Sequence, residues 1–196
     1  MTASPPRGTS EGTSQITEAT ARELEQSIRT IPDFPRPGIS YKDVTPLIEN
    51  GTTLHAAVDA LATATDRLAY DRILSAEARG FVFGTALAYR ARKGLILARK
   101  PNKLPRETIS ASYRLEYGTD ALEIHTDSIR PGTRVLVADD LLATGGTARA
   151  MCQLVENAGG TVAGVAFLIE LGYLSGRDKL RPYDVISVVT YDTPDD

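Results

Sequence analysis

The segment Val135-Leu-Val-Ala-Asp-Asp-Leu-Leu-Ala-Thr-Gly-Gly-Thr-Ala148 constrains the fold more than any other part of the chain. Val135–Ala138 is an apolar run of buried-strand type, and Thr147–Ala158 has the pattern of a helix stopped by Gly159-Gly160. Between them stand two adjacent carboxylates, Asp139 and Asp140, and a glycine-bearing turn, Ala143-Thr144-Gly145-Gly146-Thr147. A strand followed at once by a helix is the unit of an α/β layer, whose ligands bind beyond the carboxyl ends of the strands. A Gly-rich turn into a helix start offers unpaired N–H groups to an anion, and Thr144 and Thr147 add hydroxyl donors. The turn is therefore expected to cradle a phosphate. Asp139 and Asp140 would repel a bare phosphate and suit sugar hydroxyls or a magnesium ion instead. One ligand uses all of these groups: a phosphorylated ribose carrying a metal-bound pyrophosphate. Taken alone, the same residues would also fit a tight turn beside a solvated strand end.

The rest of the chain repeats the architecture. Thr20-Ala-Arg-Glu23 has capping-box form and predicts a first helix that ends before Pro32. Leu54, Val58, Leu61, Thr65 and Leu68 recur at helical spacing and predict an amphipathic helix ending near Tyr70. Strands are expected at Ile73–Ala76, Leu95–Ala98 and Thr161–Ile169, with a helix over Gly80–Arg92. This order implies a mostly parallel twisted sheet with helices on both faces. Ala111–Tyr117 and Ala121–Thr126 alternate around Gly118-Thr119-Asp120, which predicts an inserted hairpin. Pro101–Ser112 has little apolar periodicity and is expected to be a mobile lid leading into that hairpin.

Composition narrows the function. A chain of 196 residues fits one domain, here 17–196, after a Ser-, Thr-, Pro- and Gly-rich lead-in over 1–16 expected to be disordered. A net charge of −3 provides no basic field for nucleic acid or an anionic membrane. No apolar run approaches the ~20 residues that span a bilayer, and the lead-in lacks the apolar core of a signal peptide. A single cysteine, Cys152, cannot form an internal disulfide, and a reducing cytoplasm is the expected compartment. Neither G-x-x-x-x-G-K-[ST] nor G-x-G-x-x-G occurs, which disfavours P-loop nucleotide hydrolases and Rossmann dehydrogenases.

The segment around Asp139-Asp140 resembles the 5-phosphoribosyl-1-pyrophosphate (PRPP) motif of type I phosphoribosyltransferases, in the form found in the adenine phosphoribosyltransferase family. Four more blocks match in the family's order: Ile31–Pro46, Glu77-Ala-Arg-Gly-Phe81, Arg99–Pro105 and Ser112–Ile124. The resemblance implies the type I phosphoribosyltransferase fold with a flexible lid, a hairpin and a small N-terminal hood. It implies the reaction adenine + PRPP = AMP + pyrophosphate, a purine salvage step, with magnesium as cofactor and a homodimer as the assembly.

Site residues follow from the same resemblance. Asp139 and Asp140 would hold the ribose hydroxyls, and Ala143, Thr144, Gly145, Gly146 and Thr147 the 5′-phosphate. Ala78, Arg79, Arg99, Lys100 and Lys103 would hold the pyrophosphate, with a non-proline cis peptide at Glu77–Ala78. Arg79 also suits an anion without the family, since it sits between a buried-type strand and a helix. Glu116 would be the catalytic residue, assisting at the purine N7 or in proton transfer. Ile39, Ser40 and Lys42 would read the adenine, with Phe34 or Phe81 beside the base. Magnesium would be carried mainly by PRPP, with Asp139 and Asp140 acting through water. Where relatives acting on 6-oxopurines carry an Asp in the phosphate loop, this chain has Ala143, which fits adenine. A transferase for xanthine or another base, and a PRPP-sensing regulator without catalysis, remain alternatives.

Overall fold

The structure is a computed structural model and describes residues 18–114 and 119–194. The expected lead-in over 1–16 lies outside the described residues. Helix α1 (Glu18–Gln26), an antiparallel ribbon of β1 (Arg29–Ile31) and β2 (Tyr41–Asp43), and the short helix α2 (Thr45–Glu49) form the hood. Helix α1 is already formed at Glu18, so Thr20 lies inside it and the predicted capping box does not mark its start. Helix α3 (Gly51–Thr65) is capped by Asn50, whose side-chain oxygen accepts from the Thr52 N–H at 2.9 Å. It stops at Thr65 rather than near Tyr70, because Leu68 N–H folds back onto Thr65 O at 2.9 Å and closes a turn.

Then come β3 (Arg72–Ala76), α4 (Gly80–Ala91) and β4 (Gly94–Ala98), followed by a hairpin of β5 (Thr108–Arg114) and β6 (Thr119–His125). The chain continues through β7 (Arg134–Leu142), α5 (Gly146–Asn157) and β8 (Thr161–Leu171), then two short 3-10 turns, Gly172–Leu174 and Gly176–Leu180, and ends on β9 (Val185–Tyr191). The five strands β4-β3-β7-β8-β9 form one parallel sheet in that spatial order. Along its central strand, Leu136 and Ala138 join the core under α3 and α4, while Val135 and Val137 join the core under α5 and the hairpin. Both faces are thus covered, as the apolar run of Val135–Ala138 implied. Cys152 is buried on α5 within the second of these cores.

Three further boundaries differ from expectation. Strand β7 does not end before the acids but runs through them to Leu142, because β8 continues alongside and pairs Asp139 with Phe167 and Leu141 with Ile169. Thr119 and Asp120, expected in the hairpin turn, belong to β6 opposite Arg114 and Tyr113, so the connection falls at 115–118, outside the described residues. Of the expected lid, Thr108–Ser112 is β5 strand, and only 101–107 forms a loop. That loop is held at its root by reciprocal backbone bonds between Arg99 and Glu123, at 2.9 and 2.7 Å. Among the described residues no helix is long and apolar enough to cross a membrane.

Candidate active site

Strands β3 and β7 are neighbours, and their carboxyl ends open into a cavity of ≈ 280 Å³ lined by residues 77–80, Lys100, Tyr113, Leu122 and 139–148. The sequence-expected Ala78, Arg79, Lys100, Asp139, Asp140 and Ala143–Thr147 all lie on this lining. Arg99, Lys103, Ile39, Ser40 and Lys42 do not.

On the β3 side, the Glu77–Ala78 peptide is cis, as the family resemblance implied. Gly80 then starts α4 with no room for a side chain: a Cβ there would stand 2.2 Å from Asp139 Oδ1. The buried Ser75 hydroxyl lies 2.8 Å from Gly80 O and 2.6 Å from Ala138 O, tying the first turn of α4 to β7. Arg79 Nε is 2.7 Å from Asp140 Oδ2, and its Nη1 donates to the Tyr41 hydroxyl. The Arg79 N–H is not aimed along the short approach to Asp140, so that carboxylate oxygen has no hydrogen-bond partner among the described residues. Burial pushes the Asp139 carboxyl well above the ordinary range, and the Asp140 charge adds to it. Burial raises Asp140 as well, against the pull of Arg79. Two buried acids with spare acceptor capacity suit the hydroxyl donors of a sugar.

On the β7 side, Gly145 caps α5 in the left-handed region (φ +77°), where residues with a Cβ are strained. No side chain caps α5, and Gly145–Ala148 line the cavity, so the N–H groups of its first turn are available to an anion. A Cβ on Gly145 would stand 2.4 Å from Gly176 O, and one on Gly176 would stand 2.0 Å from Ala143 O. The loop therefore rests directly on the Gly176 backbone. Gly176 was not anticipated, because a lone glycine in a polar stretch carries no local signal of a contact thirty residues away.

The cations divide. The Arg99 guanidinium bonds Glu77 Oε2 at 3.2 Å and Lys103 O at 3.1 Å, so it braces the Glu77 turn. Burial pushes the Glu77 carboxyl up, but the Lys100 N–H and the Arg99 guanidinium outweigh it and the net lies below the ordinary range. Lys103 is exposed on the loop. Lys100 faces the cavity and pairs with Asp120 Oδ2 at 3.2 Å, an oxygen that the Tyr113 hydroxyl also reaches at 3.3 Å. Tyr113 and Asp120 are hairpin residues to which no sequence motif assigns a role.

The hood turns the Lys42 side chain into its own interior. Its ammonium is buried, donating to Thr30 Oγ1 at 3.0 Å and sitting 4.1 Å from the centroid of the Tyr191 ring. Alternation along β2 explains this, since Lys42 and Tyr41 project to opposite faces and Tyr41 takes the side of Arg79. The ring of Phe34 meets Tyr41 edge-on at 5.0 Å. The Ile39 N–H donates to Arg36 O and its carbonyl accepts from the Phe34 N–H, both at 3.3 Å, so these groups close the hood loop on itself. The Ser40 hydroxyl donates to Pro194 O at 2.6 Å. Glu116 lies outside the described residues.

Two turns whose donors face the cavity flank a buried acid pair, an arrangement that suits a phosphorylated sugar bearing a second anionic group. The phosphoribosyl transferase domain family matches residues 66–194. The chain is 70% identical over 180 residues to an adenine phosphoribosyltransferase of Rubrobacter xylanophilus, covering 91% of this chain and 97% of that one. It superposes on the crystal structure of adenine phosphoribosyltransferase from Thermoanaerobacter pseudethanolicus with a TM-score of 0.86 at 49% identity, covering 87% and 99% of the two chains. The Saccharomyces cerevisiae enzyme, solved with an imino-altritol bisphosphate and adenine, gives a TM-score of 0.83 at 36% identity, covering 88% and 99%. The chain belongs to the adenine phosphoribosyltransferase family of type I phosphoribosyltransferases.

Proposed function

We infer that the chain transfers the 5-phosphoribosyl group of PRPP to N9 of adenine, giving AMP and pyrophosphate in purine salvage. The observation that carries this reading is the placement of Asp139 and Asp140, both buried, between the Arg79 turn and the Ala143–Thr147 turn. The turn after β7 would hold the 5′-phosphate through backbone N–H groups, and Arg79 with Lys100 the pyrophosphate. Asp139 and Asp140 would accept the ribose 2′- and 3′-hydroxyls. As the bond from C1 to the pyrophosphate oxygen breaks, positive charge develops on the ribose, and the acid pair is placed to stabilise it. N9 supplies the new bond to C1, and its proton leaves with assistance from Glu116.

Among the described residues no three His, Cys, Asp or Glu side chains converge on a metal position. A magnesium ion would be carried chiefly by pyrophosphate oxygens, with Asp140 Oδ2, which pairs with Arg79, accepting from its waters, which suits an ion that keeps its hydration. When bound, it supplies charge neutralisation of the leaving pyrophosphate. Adenine would enter beside the hood, where Tyr41 and Phe34 offer aromatic surface next to Arg79, and would be read by the main chain beside Ser40, the Ile39 N–H being engaged within the hood loop. Absence of a carboxylate at Ala143 supports adenine over 6-oxopurines. A homodimer belongs to the same reading: Tyr89, 89% exposed, and Val82 lie on one face of α4, and Leu97 is exposed on edge strand β4.

Pyrophosphate release is expected with adenine and absent with hypoxanthine, guanine and xanthine; release with another base, or with none, overturns the assignment. Glu116→Ala is expected to slow turnover about 100-fold while leaving PRPP affinity unchanged by equilibrium binding. Equal weakening of PRPP binding would remove Glu116 from its role.

A further inference from the structure

We propose that Glu170 and Arg177 are positioning residues for the phosphate turn, acting through the Gly176 backbone on which that turn is set. The inference rests on the reading of Ala143–Thr147 as the 5′-phosphate site. Backbone meets backbone where Gly145 and Gly176 touch, with no side chain between them to absorb a shift. The direction of the N–H groups at the start of α5 is therefore fixed by wherever the Gly176–Leu180 turn is held.

Two anchors hold it. At one end Leu180 is buried in the core under α5. At the other, Arg177 grips Glu170 with two donors: Nε reaches Oε1 at 2.9 Å, and Nη2 reaches Oε2. Its Nη1 donates to Val185 O on β9 at 2.7 Å. Glu170 lies on β8, only 6% exposed, and also accepts from the Ser187 hydroxyl at 2.6 Å. In register it stands beside Leu142, the residue that enters the phosphate turn. One carboxylate thus links β8, β9 and the Gly176 turn at the level where β7 gives way to the anion site.

A pair of this kind is poorly explained as a source of stability. Glu170 is buried but the Arg177 side chain is about half exposed, and an ion pair open to water on one side contributes little to stability. What the two-donor fork provides is a fixed direction, which a flexible apolar contact does not. Backbone N–H groups need that direction, since their bonds weaken steeply with misalignment.

The test compares the full chain with Arg177→Lys, which keeps the charge and loses the fork, and Glu170→Gln, which keeps the shape and loses the charge. Calorimetric Kd for ribose 5-phosphate and KM for PRPP are expected to rise about tenfold in both. The Kd for inorganic pyrophosphate and KM for adenine are expected to stay within about twofold, and kcat within about threefold. Folded variants that bind ribose 5-phosphate as tightly as the unaltered chain overturn the proposal, whatever their Tm. Should both fail to fold, Ser187→Ala removes one donor from Glu170 and leaves the fork; a threefold rise in the same Kd supports the proposal and no rise overturns it. Failure of the unaltered chain itself to bind ribose 5-phosphate would instead overturn the phosphate-site reading.

Discussion

The two turns that face the cavity offer an anion opposite means of being held. The turn after β3 offers the Arg79 guanidinium, whereas Ala143–Thr147 after β7 contains no charged side chain. Charge on the first turn is kept in check by ion pairs and hydrogen bonds: Arg79 leans on Asp140 and the Tyr41 hydroxyl, and Glu77 is bound by the Arg99 guanidinium and the Lys100 backbone N–H. The second turn is kept in place by the absence of side chains, with Gly145 set against Gly176. Coulomb attraction falls only as the inverse of distance, while a hydrogen bond is lost within a few tenths of an ångström and some tens of degrees. The charged turn should therefore tolerate small displacements and respond to salt. The backbone turn should tolerate neither displacement nor any added side chain.

Four substitutions probe that contrast. Gly145→Val has the largest expected effect, since it places a branched side chain at φ +77° and a Cβ 2.4 Å from Gly176 O. A loss of about 10³-fold in kcat/KM for PRPP, ~4 kcal/mol, is expected. Pyrophosphate should still bind, and retention of ribose 5-phosphate binding would break the contrast. Asp140→Asn is expected to lower kcat about 100-fold with Tm preserved or raised. The sign follows from the raised acids. Between the ordinary carboxylate range and their higher folded values, the folded chain holds protons that the unfolded chain has released, so stability falls as pH rises through that window. Asn has no such dependence, and the Tm difference should grow from pH 4 to pH 8 in scanning calorimetry; a constant difference would contradict the burial argument. Arg79→Lys keeps the charge but loses the fork, and about tenfold weaker pyrophosphate binding is expected, with ribose 5-phosphate unaffected. Tyr41→Phe removes one acceptor from a half-exposed guanidinium, so a change of about threefold or less in pyrophosphate Kd is expected, and a larger one would assign the hood a greater share of the anion site.

The contrast also tracks what the sequence could disclose. The β7 to α5 unit was legible because a parallel strand buried on both faces is an unbroken apolar run, and because a helix start beside glycines has few alternatives. Arg79 was legible from its place between such a strand and a helix. The burial of the Lys42 side chain is not legible because a three-residue strand gives no periodicity to tell which side its residues take, and the side taken by Tyr41 is hidden for the same reason. Strands β1 and β2 escaped notice likewise. Gly176, Tyr113 and Asp120 act through contacts between elements far apart in the chain, which neither propensity nor spacing encodes. The end of β7 was placed too early because two acids look like a strand terminus until β8 is known to run beside them.

Cys152 gives the anion site a chemical clock. Its sulfur is fully buried on α5, the helix that begins at the phosphate turn, and burial pushes the thiol up to about 12. At neutral pH only ~10⁻⁵ of such a thiol is ionised, so an alkylating reagent reacts when the helix swings clear of the sheet and hardly otherwise. Its labelling rate counts those openings, and the slowing produced by a bound phosphate compound measures how firmly that compound locks the helix shut.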